Sequence, residues 1–145
     1  MTDDVTDNPK TPIWFWVLAV VFILWNLIGV NDFYNSATLN EAYLAQFPDM
    51  LEFLKTMPLW AYVAWGIATG GALLGSVLFL LRRAVAYRIY ILAVIGMIIS
   101  FGYQFTAPNK VEVPAWVHVF TAVIWAIAFF QVWISRKMTA KGVLR

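Results

Sequence analysis

Four long apolar stretches, separated by polar breaks, organise the chain. They cover residues 12–30, 59–81, 88–105 and 114–134, each close to the roughly 20 residues that a helix needs to cross hydrocarbon. A single strand in that medium leaves its backbone groups unpaired, so each stretch is expected to be helical. Pro12, Pro58 and Pro114 stand at the start of three of them, where a missing N–H costs a helix nothing. Thr11 is in position to cap the first. The pattern predicts an all-α membrane protein, a four-helix transmembrane bundle in which residues 1–145 form a single domain.

The segment 31–57 is too long for a simple connector. Thr38-Leu39-Asn40-Glu41 has the form of a capping box, and Leu39, Tyr43 and Phe47 follow at helical spacing. After Pro48, a second apolar stripe runs through Met50, Phe53, Leu54 and Met57. Two short amphipathic helices are expected here, forming an external loop between the first and second spans that lies on the membrane surface and seals the bundle.

Composition agrees with this pattern. The chain of 145 residues is 62% hydrophobic and 12% charged, against about 45–50% and about 25% in soluble domains. A single soluble core has no room for so much apolar surface. The absence of cysteine excludes disulfides, iron–sulfur clusters and cysteine nucleophiles. The first ten residues hold Asp3, Asp4, Asp7 and only Lys10. That is not the basic region of a cleavable signal, so the first stretch is read as a retained span.

Charge sets the expected orientation. Lys10, Arg82, Arg83, Arg88, Arg136, Lys137, Lys141 and Arg145 fall on one side of a four-span chain, and Lys55 and Lys110 on the other. The basic side is expected to be cytoplasmic, with both termini on it. Asp32, Glu41, Asp49, Glu52 and Glu112 then make the outer face acidic. Aromatic residues suit the same frame, with Trp14, Trp16, Tyr87, Tyr90 and Trp133 near the inner interface and Trp60, Tyr62, Tyr103 and Trp116 near the outer one. The basic residues form no stripe that would bind nucleic acid.

The spans hold few groups able to do chemistry. No Asp, Glu, Lys or Arg occupies the middle of a span, which argues against a proton-coupled pump. No Ser–His–Asp set, phosphate loop or HExxH motif is present, and His118, the only histidine, lacks an obvious second metal ligand. An enzyme, a metal site and a bound cofactor are therefore not expected. Asn26 and His118 each lie about four residues inside an expected outer span end, roughly 6 Å deep at the helical rise, and Gln104 lies at the outer end of the third span. With Trp25 and Tyr103 close in depth, these residues are candidates to line a polar and aromatic pocket open to the outside. In the second span, Gly66 and Gly70, and Gly71 and Gly75, are spaced as GxxxG, while Ala64, Ala68, Ala72 and Ser76 form a further row. Small residues let helix backbones approach closely in lipid. Rows on different faces predict that this helix is the centre of the bundle, packing chiefly within one chain, and they leave a homo-oligomer or a larger membrane complex as the alternative.

Several segments together resemble a known family. Trp25-Asn26-Leu27-Ile28-Gly29-Val30 closes the first span. Pro58-Leu59-Trp60 opens the second, Ala68-Thr69-Gly70-Gly71-Ala72-Leu73-Leu74-Gly75-Ser76 continues it, and Leu80-Leu81-Arg82-Arg83-Ala84-Val85-Ala86 ends it. Over about residues 12 to 106 the chain resembles small bacterial four-span membrane proteins often labelled "sugar transporter" or hypothetical. The resemblance implies a bacterial inner membrane and supplies no catalytic or sugar-binding residues. Two functions are favoured by these features, a non-enzymatic accessory or structural bundle and an oligomeric transporter of a small polar solute such as a sugar, with a membrane enzyme or redox subunit using His118 as a distant third. Four spans are few for a solitary transporter built from inverted repeats.

Overall fold

The computed structural model describes residues 11–109 and 111–145. Asp3, Asp4, Asp7, Lys10 and Lys110, which enter the charge pattern, lie outside these residues. Six helices form among the described residues: α1 Ile13–Ala37, α2 Glu41–Leu44, α3 Pro48–Thr56, α4 Leu59–Leu80, α5 Ala86–Thr106 and α6 Ala115–Ala140. Four of them, α1, α4, α5 and α6, are long and apolar enough to cross a membrane. Large apolar side chains face outward along all four; Ile13 is 81% exposed, Leu59 78% and Val119 66%. Only lipid can solvate such a surface, and the chain is a multi-pass integral membrane protein.

The centre of the bundle is the antiparallel contact between α4 and α5. Ala61, Ala64, Ala68, Gly71 and Gly75 recur at alternating three- and four-residue steps on α4, opposite Ala86, Tyr90, Ala93, Met97 and Ser100 at the same steps on α5. This 3–4 alternation keeps one seam facing its partner along a helix pair. The seam is tight because its residues are small. A methyl built on Gly75 would lie 2.9 Å from the Tyr90 ring, one on Gly71 3.3 Å from Ala93 Cβ, and one on Gly96 2.6 Å from the Ala64 backbone oxygen. Gly66 meets a different neighbour, the Phe33 ring of α1 at 3.2 Å, and Gly70 faces open space. The glycines of α4 thus serve two helices, α5 and α1, as expected for a central helix, with Gly70 outside both contacts. Gly96, on α5, is the closest approach of all and did not stand out in the sequence.

α1 packs on the other side of α4 and runs to Ala37, seven residues past the expected end of the first span. Gly29 does not interrupt it. The helix closes in a Schellman turn: Leu39 takes a left-handed φ of 52°, Leu39 N donates to Ser36 O, and Asn40 N donates to Asn35 O. The expected capping box is not formed. The Thr38 hydroxyl bonds back to Tyr34 O at 2.7 Å, and Asn40 is the residue that caps α2, accepting from Tyr43 N. Thr11 does not cap α1 either, whose N-cap is Pro12 without a side-chain bond. The external loop is therefore shorter than 31–57. Its two amphipathic helices, α2 and α3, bury Leu44, Phe53, Leu54 and Met57 against Ala61 and Ala107 and cover one end of the bundle. Tyr43 fastens this lid to α1 by donating to Asp32 Oδ1 at 2.8 Å. Burial, reinforced by that bond, pushes the Tyr43 phenol up to about 12.

The opposite end is closed by the last residues. α4 and α6 both end in Schellman turns, with Arg82 (φ 57°) and Gly142 (φ 70°) in the left-handed position. The unusual arginine conformation presents the Arg82 carbonyl to Arg145 N at 2.8 Å, while Ala84 N donates to Arg145 O at 2.9 Å and Arg82 Nε to Val143 O at 2.9 Å. Val143 and Leu144 are thereby held in a core with Phe15, Phe22, Phe79, Tyr90, Ile134 and Met138. Tyr90, expected at the membrane interface, is 1% exposed within this core. α6 is buried only in its C-terminal half, at Gln131, Ile134, Ser135 and Met138, while its first half makes partly exposed ring contacts, Phe120 with Trp25 of α1 and Trp125 with Phe101 of α5.

Two outcomes follow. Gly96→Ala, Gly71→Leu and Gly75→Leu should each lower folded yield after mild heating in detergent, at a cost of about 1–3 kcal/mol from forced separation of the helices. Gly70→Ala should be neutral or stabilising by up to about 1 kcal/mol, and Leu73→Ala should fall below the three seam variants in effect. Equal tolerance at Gly70 and Gly96 would contradict the seam. In an absorbance titration of the tyrosines, the Tyr43→Phe chain should lack a component ionising near 12. A raised phenol pKa means that the lid contact stabilises the fold fully below the free value of about 10 and loses that contribution as pH rises through about 12. Loss of an ordinary component near 10 instead would show that the Asp32 bond does not form.

Candidate functional site

The strongest arrangement of polar groups inside the bundle is a buried trio on three helices. Asn26 of α1 donates from Nδ2 to Ser76 Oγ at 2.8 Å and to Ala72 O at 3.2 Å. Ser76 Oγ lies 2.9 Å from Ala72 O and 2.9 Å from the Tyr90 hydroxyl of α5. Ala72 O can only accept and Asn26 Nδ2 only donate; of the two hydroxyls either can donate to the other, and one assignment satisfies every bond. The single Ser76 proton goes to Ala72 O, as is usual for serine one turn along a helix. The Ser76 oxygen then accepts from both Asn26 and Tyr90. Ser76 is fully buried, Tyr90 is 1% exposed and Asn26 7%. The aromatic rings of Phe22, Phe79 and Tyr90 pack beside the trio.

The residues singled out in the sequence fall in separate places. Asn26 lies about 16 Å from the C-terminal end of α1 at the helical rise, deeper than expected, because α1 continues beyond Val30. It bonds to α4 and not to Gln104 or His118. Gln104 is half-buried in the last turn of α5, and His118 is exposed near the start of α6. Trp25 is half-buried against Phe120 of α6, with ring centroids 5.9 Å apart. Tyr103 packs instead between Phe53 of α3 and Trp60 of α4. Asn26 is thus in the trio, Trp25 at the α1–α6 contact and Tyr103 under the lid.

Ser76 and Tyr90 were missed as partners of Asn26. Ser76 sat within a row of small residues and was read for its size. Tyr90 fits the inner aromatic belt by its position in the sequence, which hides its inward orientation. A usable signal was present: a hydroxyl and a carboxamide inside apolar spans each need a partner in lipid.

The trio can bind helices together and hold a fixed dipole pattern. Ser76 is bonded to both Asn26 and Tyr90 and its one proton is engaged. Four further buried atoms lack a protein partner among the described residues: Thr11 Oγ1 and Arg82 Nη2 near the basic end, and Ser100 Oγ on α5 and Gln131 Nε2 on α6, the last two on residues only 2% exposed. No group of three His, Cys, Asp or Glu able to hold a metal occurs among the described residues. Compared with protein-family models, with curated proteins and with solved structures, the chain has no significant match. Its functional reading therefore rests on its own geometry.

Removing one member of the trio should cost more than removing all three. Ser76→Ala leaves the Asn26 amide and the Tyr90 hydroxyl buried without a partner, at about 1–3 kcal/mol. The triple variant Asn26→Leu, Ser76→Ala, Tyr90→Phe replaces the network with apolar groups of similar size and should recover at least half of that loss. Thermal unfolding in one detergent measures both. A triple variant weaker than the sum of its parts would show that the bonds are not shared in this way.

Proposed function

We propose that this chain is a non-enzymatic bundle of a bacterial inner membrane, acting as an accessory or structural protein with both termini in the cytoplasm. The observation that carries this reading is the closed Asn26–Ser76–Tyr90 trio. Polar side chains inside membrane spans are the usual markers of a solute or proton path. Here they are turned toward one another and sealed by aromatic rings, as in a group that joins helices. Seven of the eight described Lys and Arg lie at one end of the bundle, Lys55 being the exception, and support the orientation.

A second reading, an oligomeric transporter of a small polar solute such as a sugar, is favoured by one feature. No residue of α6 before Gln131 is buried, so the first half of this helix offers an apolar face to another copy.

Native mass spectrometry from mild detergent, with thermal unfolding across a panel of sugars, separates the two. The structural reading expects no shift beyond about 1 °C at millimolar sugar, since ligand that binds the folded state must raise its stability. A saturable shift of several degrees in a homo-oligomer would favour transport. Orientation has its own check. Alkaline phosphatase fused after Arg83 should be inactive and after Lys110 active; the reverse pattern would invert the assignment.

A further inference from the structure

An open groove runs between α1 and α6 at the basic end of the bundle. It has a volume of about 440 Å³ and is lined by Trp14, Val17, Leu18, Val21, Phe130 and Ile134. On α1 the lining residues follow helical spacing, so the groove extends along the helix axis for about 10 Å, along the direction of a lipid acyl chain. On α6 the stripe that begins with Phe130 and Ile134 continues through Lys137 and Lys141, three and seven positions beyond Ile134, both exposed. Residues at these spacings share one face of a helix. Two cations therefore stand in line with the end of an apolar groove.

We propose that this groove is a specific site for one anionic phospholipid, its acyl chain between α1 and α6 and its phosphodiester at Lys137 and Lys141. This goes beyond the structural role proposed above and does not depend on it. Three features on the page favour this occupant. The charged residues described at this end, Arg82, Arg83, Arg88, Arg136, Lys137, Lys141 and Arg145, are all basic, while the described acidic residues lie at the opposite end. The Lys137 ammonium is held 4.8 Å above the Trp133 ring, which fixes it at the depth where an aromatic ring meets the headgroups. α1 begins beside the groove with no side-chain cap on its first amides, and a helix N-terminus adds partial positive charge next to the lysines. A basic cluster at the mouth of a crevice between spans is the chemistry that recognises an acidic headgroup.

The test uses the full chain in mild detergent with equimolar phosphatidylglycerol and phosphatidylcholine of identical acyl chains, read by native mass spectrometry. The site predicts one retained phosphatidylglycerol per chain, preferred by about thirtyfold, the order expected of two lysines beside one headgroup. Lys137→Gln with Lys141→Gln should bring the two lipids to near-equal retention. Val17→Trp, at a position already exposed, should fill the groove and reduce retention of both. Arg83→Gln with Arg88→Gln removes the same charge from the same end without touching the groove, and should leave the preference intact. Equal retention of the two lipids by the unaltered chain would overturn the proposal. So would an undiminished preference in the lysine pair, undiminished retention in Val17→Trp, or an equal loss in the arginine pair, which would mean that surface potential alone selects the lipid.

Discussion

The close contact of α4 with α5 is the constraint on which the rest of the bundle depends. In lipid no hydrophobic effect drives one apolar helix onto another, so contact area at short range must supply the attraction. Gly71, Gly75 and Gly96 remove the side chains that would hold the two backbones apart. That approach brings the Tyr90 ring over Gly75 and its hydroxyl to Ser76, one residue along α4. Ser76 in turn faces α1, where Asn26 reaches it. The small-residue seam therefore creates the position at which three helices share one set of hydrogen bonds.

The two ends are finished by different means. At the acidic end, the lid of α2 and α3 supplies apolar cover from Leu44, Phe53, Leu54 and Met57. At the basic end, the residues after α6 turn back through Gly142, pair with the backbone around Arg82 and place Val143 and Leu144 in the core. α6 is the least embedded of the long helices, held through Gln131, Ile134, Ser135 and Met138. Its C-terminal half thus belongs to the core and its first half to the lipid boundary.

The four spans, the lid helices and the central place of α4 were legible in the sequence because run length, helical spacing and residue size are local properties. The end of α1 was not, since Asn31, Asp32 and Asn35 read as loop residues, whereas in the structure they continue the helix and Asp32 meets Tyr43. The tail clamp was invisible because it consists of backbone bonds between segments some sixty residues apart, with Arg82 in a conformation that its identity does not announce. Asn26 was recognised as needing a partner, but depth along a helix does not reveal which face a side chain uses. Its partners were settled by the α4–α5 approach, a tertiary fact that single spans do not encode.

The central claim is that Asn26, Ser76 and Tyr90 close around Ser76 and leave no aqueous path to it. The chain has no cysteine, so a thiol placed at Ser76 can be followed without background. Ser76→Cys preserves size and can be challenged in native membranes with a charged, membrane-impermeant thiol reagent from each side. The closed bundle predicts no modification from either side and full modification after denaturation. Rapid labelling from either side of the intact membrane would show that water reaches Ser76, and would contradict the account.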